Sequence, residues 1–164
     1  MYLLDSDTFI QAKNLYYGFD ICPGFWNWID EAVGGCDARS IVKVYDELAA
    51  GNDDLAQWIK GRKDDGRFLE VDDTDTQTLF REVAVAVQNG DYRPPAKAQF
   101  LSGADPWLVA KARVIGATVV TMERPEPQAK RRVPLPNLCL RFGVPYIDTF
   151  ALLRRQAASF NLVA

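Results

Sequence analysis

The stretch Tyr2-Leu3-Leu4-Asp5-Ser6-Asp7-Thr8 decides how the chain reads. An apolar run that ends abruptly in acids is a buried strand delivering charge to a rim. A carboxylate there is costly without a cation, a donor or water. Open α/β sheets bind ligands at the carboxyl ends of their strands, so Asp5 is expected to help hold a divalent metal. Downstream, Thr118-Val119-Val120-Thr121 reads as a second such strand and empties into Met122-Glu123.

Between and beyond these strands the period switches to that of helices. Helices are expected from Ser6 or Asp7, from Pro23 to Gly34-Gly35, and over residues 40–50. In the last, Ile41, Val44, Tyr45 and Leu48 recur at i, i+3, i+4 and i+7. Ser40 is its expected cap and Gly51 its stop. Glu47 falls on the flank of that buried face, half-sheltered, with Asp46 further round. Asp53-Asp54 caps a short helix, and residues 68–71 are a strand. Residues 74–89 are a longer helix, and residues 90–102, with Pro94-Pro95, a connecting loop. Asp105-Pro106 starts the next helix, with Asp105 as cap and Gly116 as stop. The proline-rich residues 124–137 are a loop. Residues 138–142 form a short helix ended by Gly143, and residues 145–148 a last strand before a helix capped by Thr149. This alternation predicts a three-layer α/β/α domain with a mostly parallel central sheet, spanning residues 1–164 as one unit.

The chain has no histidine. Ser-His-Asp triads, Cys-His pairs, histidine zinc sites and histidine-based ribonuclease chemistry are therefore excluded. Cys22, Cys36 and Cys139 are odd in number and widely spaced, which suits a reducing cytoplasm better than a disulfide framework. Nothing in the sequence reads as a signal peptide or a membrane span. The net charge of −3 conceals an asymmetry. Lys111, Arg113, Arg124, Lys130, Arg131 and Arg132 outnumber Glu123 and Glu126 within residues 111–132, a basic stretch suited to a polyanion or to plain solvation. The aromatics around Phe25, Trp26 and Trp28 read as core or as a partner surface. No glycine-rich phosphate loop is present.

Four acids thus stand at informative places: Asp5 after a strand, Glu47 on a helix, Asp105 opening a helix, and Glu123 after a strand. In this order they resemble the PIN-domain nucleases. The closer likeness is to a PIN-like family of uncharacterised bacterial proteins related to toxin ribonucleases of type II toxin–antitoxin pairs. Tyr2 to Ile10 resembles the family's first motif, and Val44-Tyr45-Asp46-Glu47-Leu48 its glutamate helix. Ala104-Asp105-Pro106-Trp107 resembles its third motif, and Val119-Val120-Thr121-Met122-Glu123 the strand that usually ends in an aspartate. The resemblance implies an endoribonuclease that uses Mg²⁺ or Mn²⁺. Asp5, Asp105 and Glu123 would be metal ligands, and Glu47 would act through water. Asp7, an accessory acid, stands where the family carries Ser, Thr or Asn, and Glu123 is one methylene longer than the usual aspartate, so one or two metals remain open. RNA is the implied substrate, held by Lys111, Arg113, Arg124, Lys130, Arg131 and Arg132. An antitoxin protein is the implied partner, and dimerisation, common in related folds, is a further expectation.

The chemistry agrees with that resemblance. Clustered carboxylates repel one another until a proton or a cation arrives, and hard oxygen donors select Mg²⁺ or Mn²⁺. Two rivals stand beside it. Asp5-Ser6-Asp7-Thr8 also resembles the haloacid-dehalogenase phosphatases, although the threonine arrives one residue early. A PIN-like fold without turnover, serving as a binding or regulatory protein, is the other.

Overall fold

A computed structural model describes residues 1–35 and 37–161; Cys36, one of the three cysteines, lies outside the described residues. In chain order the elements are β1 (Tyr2–Leu4), α1 (Ser6–Gln11), a π-helical turn (Ala12–Tyr16), α2 (Pro23–Gly35), β2 (Ala38–Ile41), α3 (Val42–Ala49) and α4 (Asp54–Lys60). They continue with β3 (Phe68–Leu69), α5 (Thr74–Gln88), α6 (Pro94–Ser102), α7 (Asp105–Ile115), β4 (Thr118–Val120), α8 (Leu135–Phe142), β5 (Tyr146–Ile147) and α9 (Thr149–Arg155).

The five strands form one sheet in the order β3-β2-β1-β4-β5, and every neighbouring pair is parallel. Helices flank it, giving the three-layer α/β architecture. Leu3, Leu4, Val119 and Val120 in its centre are buried. Each contributes about 1.5–3 kcal/mol of burial, and the short apolar runs of the two central strands need no polar alternation because both faces are covered.

The strand order fixes where a ligand can sit. From β1 the chain steps outward to β2 and β3, then returns to add β4 and β5 on the other side of β1. Neighbouring connections therefore diverge between β1 and β4, which opens a crevice at their carboxyl ends. Asp5 directly follows β1, and Glu123 lies three residues past β4.

Several local expectations are corrected. Residues 38–41 are a strand, β2, not the cap of a helix; Ser40 sits in that strand and donates its hydroxyl to the Leu4 carbonyl. Pairing to β1 and β3 overrides the weak strand propensity of Ala-Arg-Ser-Ile. Pro94-Pro95 does not mark a loop but opens α6, where proline's missing N–H costs nothing. Asp148, not Thr149, caps α9, accepting the Ala151 amide at 2.7 Å. Gly116 and Gly143 end α7 and α8 in the left-handed conformation that glycine adopts without strain.

Among the described residues no helix is long and apolar enough to cross a membrane. Of the cysteines described, Cys139 is buried and Cys22 half-buried, and both are free thiols.

Candidate functional site

A cleft of about 400 Å³ opens at the crevice between β1 and β4. Asp5, Asp7, Glu47, Asp105 and Glu123 all line it, together with Arg132. Five acids spread over more than a hundred residues of chain are thus delivered to one place, by the starts of α1 and α7, by α3 and by the turn after β4.

Asp5 is the N-cap of α1. Its Oδ1 accepts the Thr8 amide at 2.7 Å and the Thr8 hydroxyl at 2.9 Å. Thr8 Oγ1 also lies 2.9 Å from the Val120 carbonyl, which ties the end of β4 to the start of α1. Burial pushes the Asp5 carboxyl up to about 7, against hydrogen bonds from Thr121 and Thr8 that draw it down. Asp7, in the first turn of the same helix, is half-buried and accepts from the Gln11 side-chain amide. Burial raises it as well.

Asp105 does not cap α7, contrary to expectation. It is the first residue of that helix, and the preceding Ala104 occupies the cap position without a side-chain hydrogen bond. The orphan amide there is taken by another chain segment: Glu47 Oε1 on α3 accepts Ala104 N–H at 2.7 Å. The Ser6 hydroxyl donates to the other Glu47 oxygen. Glu47 is exposed rather than half-sheltered, yet both of its oxygens are held. Asp105 is thereby left partly buried in the cleft with no hydrogen bond or ion pair among the described residues. Burial first, then the charges of Asp5, Glu123, Glu47 and Asp7, push its carboxyl up to about 8.

Glu123 is reached through the turn after β4. Its amide donates to Thr121 Oγ1 at 3.1 Å, and its Oε2 accepts the Leu135 amide at the start of α8 at 2.9 Å. Burial raises its carboxyl, with the Leu135 amide and Arg132 opposing. Glu123 Oε1 stands 3.9 Å from Arg132 Nη1, and Arg132 binds Glu126 more closely through Nη2.

The basic residues separate into groups. Arg132 lines the cleft. Lys111 is half-buried and pairs at 2.7 Å with Asp73, the N-cap of α5. Lys130 pairs with the exposed Asp91 at 2.9 Å. Arg113, Arg124 and Arg131 are exposed and have no ion pair among the described residues. Linear clustering of charge did not reveal these pairings, because the partners lie on other elements.

Among the described residues no three His, Cys, Asp or Glu side chains stand close enough together to hold a metal ion as they are placed. The acids share a cleft, not a finished coordination shell. The donor set still fits a hard divalent cation. All five groups offer carboxylate oxygen, and Asp105 carries an unmatched carboxylate among four like charges, an arrangement a cation relieves.

Sequence reasoning missed the walls of this cleft. Ala96, Gln99, Phe100 and Gly103 line one side, at the i, i+3, i+4, i+7 spacing of a single face of α6. The sequence signal existed in that spacing, but the paired prolines masked it.

Fold and site together define an α/β protein with an acid-lined cleft at the switch point of a parallel sheet. The chain belongs to the family described as Domain of unknown function (DUF4411), whose family model matches residues 2–160. No curated protein and no solved structure matches it.

Proposed function

We propose that this protein is a PIN-like, metal-dependent endoribonuclease that hydrolyses RNA phosphodiester bonds in the cytoplasm, as the toxin of a type II toxin–antitoxin pair. The observation that carries the reading is the Asp105 carboxylate. It sits unpartnered at a sheet switch point beside Asp5 and Glu123 and is under the electrostatic influence of both. A helix-start aspartate that capped its own helix would need no further role; this one does not cap.

Asp5, Asp105 and Glu123 would hold Mg²⁺ or Mn²⁺, with Asp7 accessory. Bound there, the ion supplies Lewis-acid polarisation of a phosphoryl oxygen and lowers the pKa of water. Glu47, its oxygens fixed by Ser6 and Ala104, is a preset acceptor that orients water at the edge of the site. Arg132 is the cleft residue able to meet a phosphate, which five carboxylates would otherwise repel.

The test is cleavage of RNA with Mg²⁺ or Mn²⁺ by the wild type, Asp5→Asn and Asp105→Asn. The wild type is expected to cleave and both variants to lose at least a hundredfold in rate. Equal cleavage by all three rejects these residues as the site. Expression in bacteria should arrest growth for the wild type and not for Asp105→Asn, with a cognate antitoxin protein restoring growth.

A further inference from the structure

The acids occupy only part of the cleft. The same cleft is lined by Ala96, Gln99 and Phe100 of α6, and by Ile10 on the helical face of α1 that carries Ser6 and Asp7. Ala96 and Phe100 are buried, while Ile10 is 40% exposed. Gln99 is exposed as well, and its side-chain amide has no partner among the described residues. An apolar side chain and an uncommitted amide therefore line the same cleft as the carboxylate cluster. That combination does nothing for a metal. It matches a nucleobase, which offers a flat apolar face and an edge of donors and acceptors.

The dimensions narrow the ligand. About 400 Å³ lies at the small end of ligand pockets, roughly 300–1,000 Å³. It accepts one nucleotide turned out of a strand and not a stacked duplex, whose base edges stay inside the helix. An amide supplies a donor and an acceptor side by side, so it can pair bidentately with a base edge and reject a mismatched one.

We infer that the part of the cleft lined by Ile10 and Gln99 is a base-recognition subsite, which seats one unpaired nucleotide of single-stranded RNA and makes Gln99 the specificity-determining residue. The identity of the ligand as RNA rests on the nuclease reading above; the presence of Ile10 and Gln99 in the cleft does not.

Two measurements test the inference. Binding of four fluorescent RNA hexamers, differing in one central base, is measured by anisotropy without divalent metal. Cleavage sites on a random RNA pool are sequenced with Mn²⁺. The wild type should prefer one base class at one position by at least about fivefold. Gln99→Leu should reduce that preference to within twofold while Mn²⁺ affinity and circular dichroism stay unchanged. Gln99→Glu should move the preference toward bases that present donors. Equal binding of all four hexamers, no binding of any, or an unaltered preference in Gln99→Leu overturns the subsite. Base-selective binding with no cleavage keeps the subsite and removes the nuclease. Cleavage without base preference does the reverse.

Discussion

Glu47 Oε1 accepts the Ala104 amide at 2.7 Å, so the helix that begins at Asp105 is capped from α3 and not by its own aspartate. Glu47 therefore has a structural duty that can be separated from any chemical one. Replacement by Ala removes the acceptor from an otherwise orphan amide and should cost about 0.5–2 kcal/mol, the range of lost N-caps. For a chain of this size that is a fall in melting temperature of roughly 1–8 °C. Glu47→Gln keeps an acceptor oxygen and should melt within about 2 °C of the wild type, while RNA cleavage drops steeply. If Gln and Ala variants lose activity only in proportion to stability, Glu47 is a cap and nothing more.

Thr8 links the two central strands' ends, through Asp5 on one side and the Val120 carbonyl on the other. It is buried, so Thr8→Val preserves shape and removes only the hydroxyl. A loss of about 1–2 kcal/mol is expected, read from denaturant melts. Because a hydrogen bond that lowers the Asp5 carboxyl disappears, its pKa should rise further. Mn²⁺ affinity at pH 7 should then weaken in Thr8→Val, and raising the pH should restore part of it.

Lys111 and Arg132 are both basic residues of one sequence cluster, yet they should behave differently. Lys111→Met breaks the pair with Asp73, whose carboxyl is held down to about 2 by Lys111 and the Thr76 amide. A carboxyl lowered in the folded state stabilises above its unfolded value near 4, and that contribution is lost as pH falls toward 2. The variant should thus melt slightly lower than the wild type at neutral pH, the gap closing as pH falls toward 2, with RNA affinity unchanged. The Asp73 side chain is 41% exposed, so solvent screening keeps the effect small. Arg132→Gln should weaken RNA binding and reduce the slope of log affinity against log salt by about 0.7. It should also tighten Mn²⁺ binding, because a cation 3.9 Å from Glu123 is gone. Matching salt slopes for the two variants would return Arg132 to the solvated surface.

The acids were legible in the sequence because each sits where local rules announce a position. Asp5 and Glu123 follow apolar runs, and Asp105 precedes a proline that starts a helix. Their convergence was legible only as far as a parallel sheet implies a common edge. β2 was not legible, since Ala38-Arg39-Ser40-Ile41 has no alternation and becomes a strand only by pairing with β1 and β3. α6 was hidden because two prolines read as a loop, although both fall in the first turn of the helix. With α6 went one wall of the cleft and Gln99. Charge partners were beyond reach for a different reason: Lys111–Asp73 and Lys130–Asp91 each join residues 38 and 39 apart, across elements whose docking no local pattern states.

The raised carboxyls of Asp5, about 7, and Asp105, about 8, give the metal-free protein a defined pH dependence. Both exceed the unfolded value near 4, so between about pH 4 and pH 8 the folded state holds protons that the unfolded chain has released. Stability is then greatest at the acid end of that window and declines as pH rises through the folded pKa values. Asp105→Asn removes one of the two groups and should melt higher than the wild type without metal, by an amount that grows from pH 5 to pH 8. Saturating Mn²⁺ should erase the difference in the wild type's disfavour, because the cation stabilises the ionised carboxyls. Binding must also displace the protons they carry. In weakly buffered solution at pH 6.5 the wild type should release on the order of one to two protons per ion bound, and close to none at pH 9. Asp105→Asn should release fewer at pH 6.5. A melting temperature that climbs from pH 5 to pH 8 in the metal-free wild type would mean that these two carboxyls are already ionised, and that the cleft is wetter and less strained than its geometry implies.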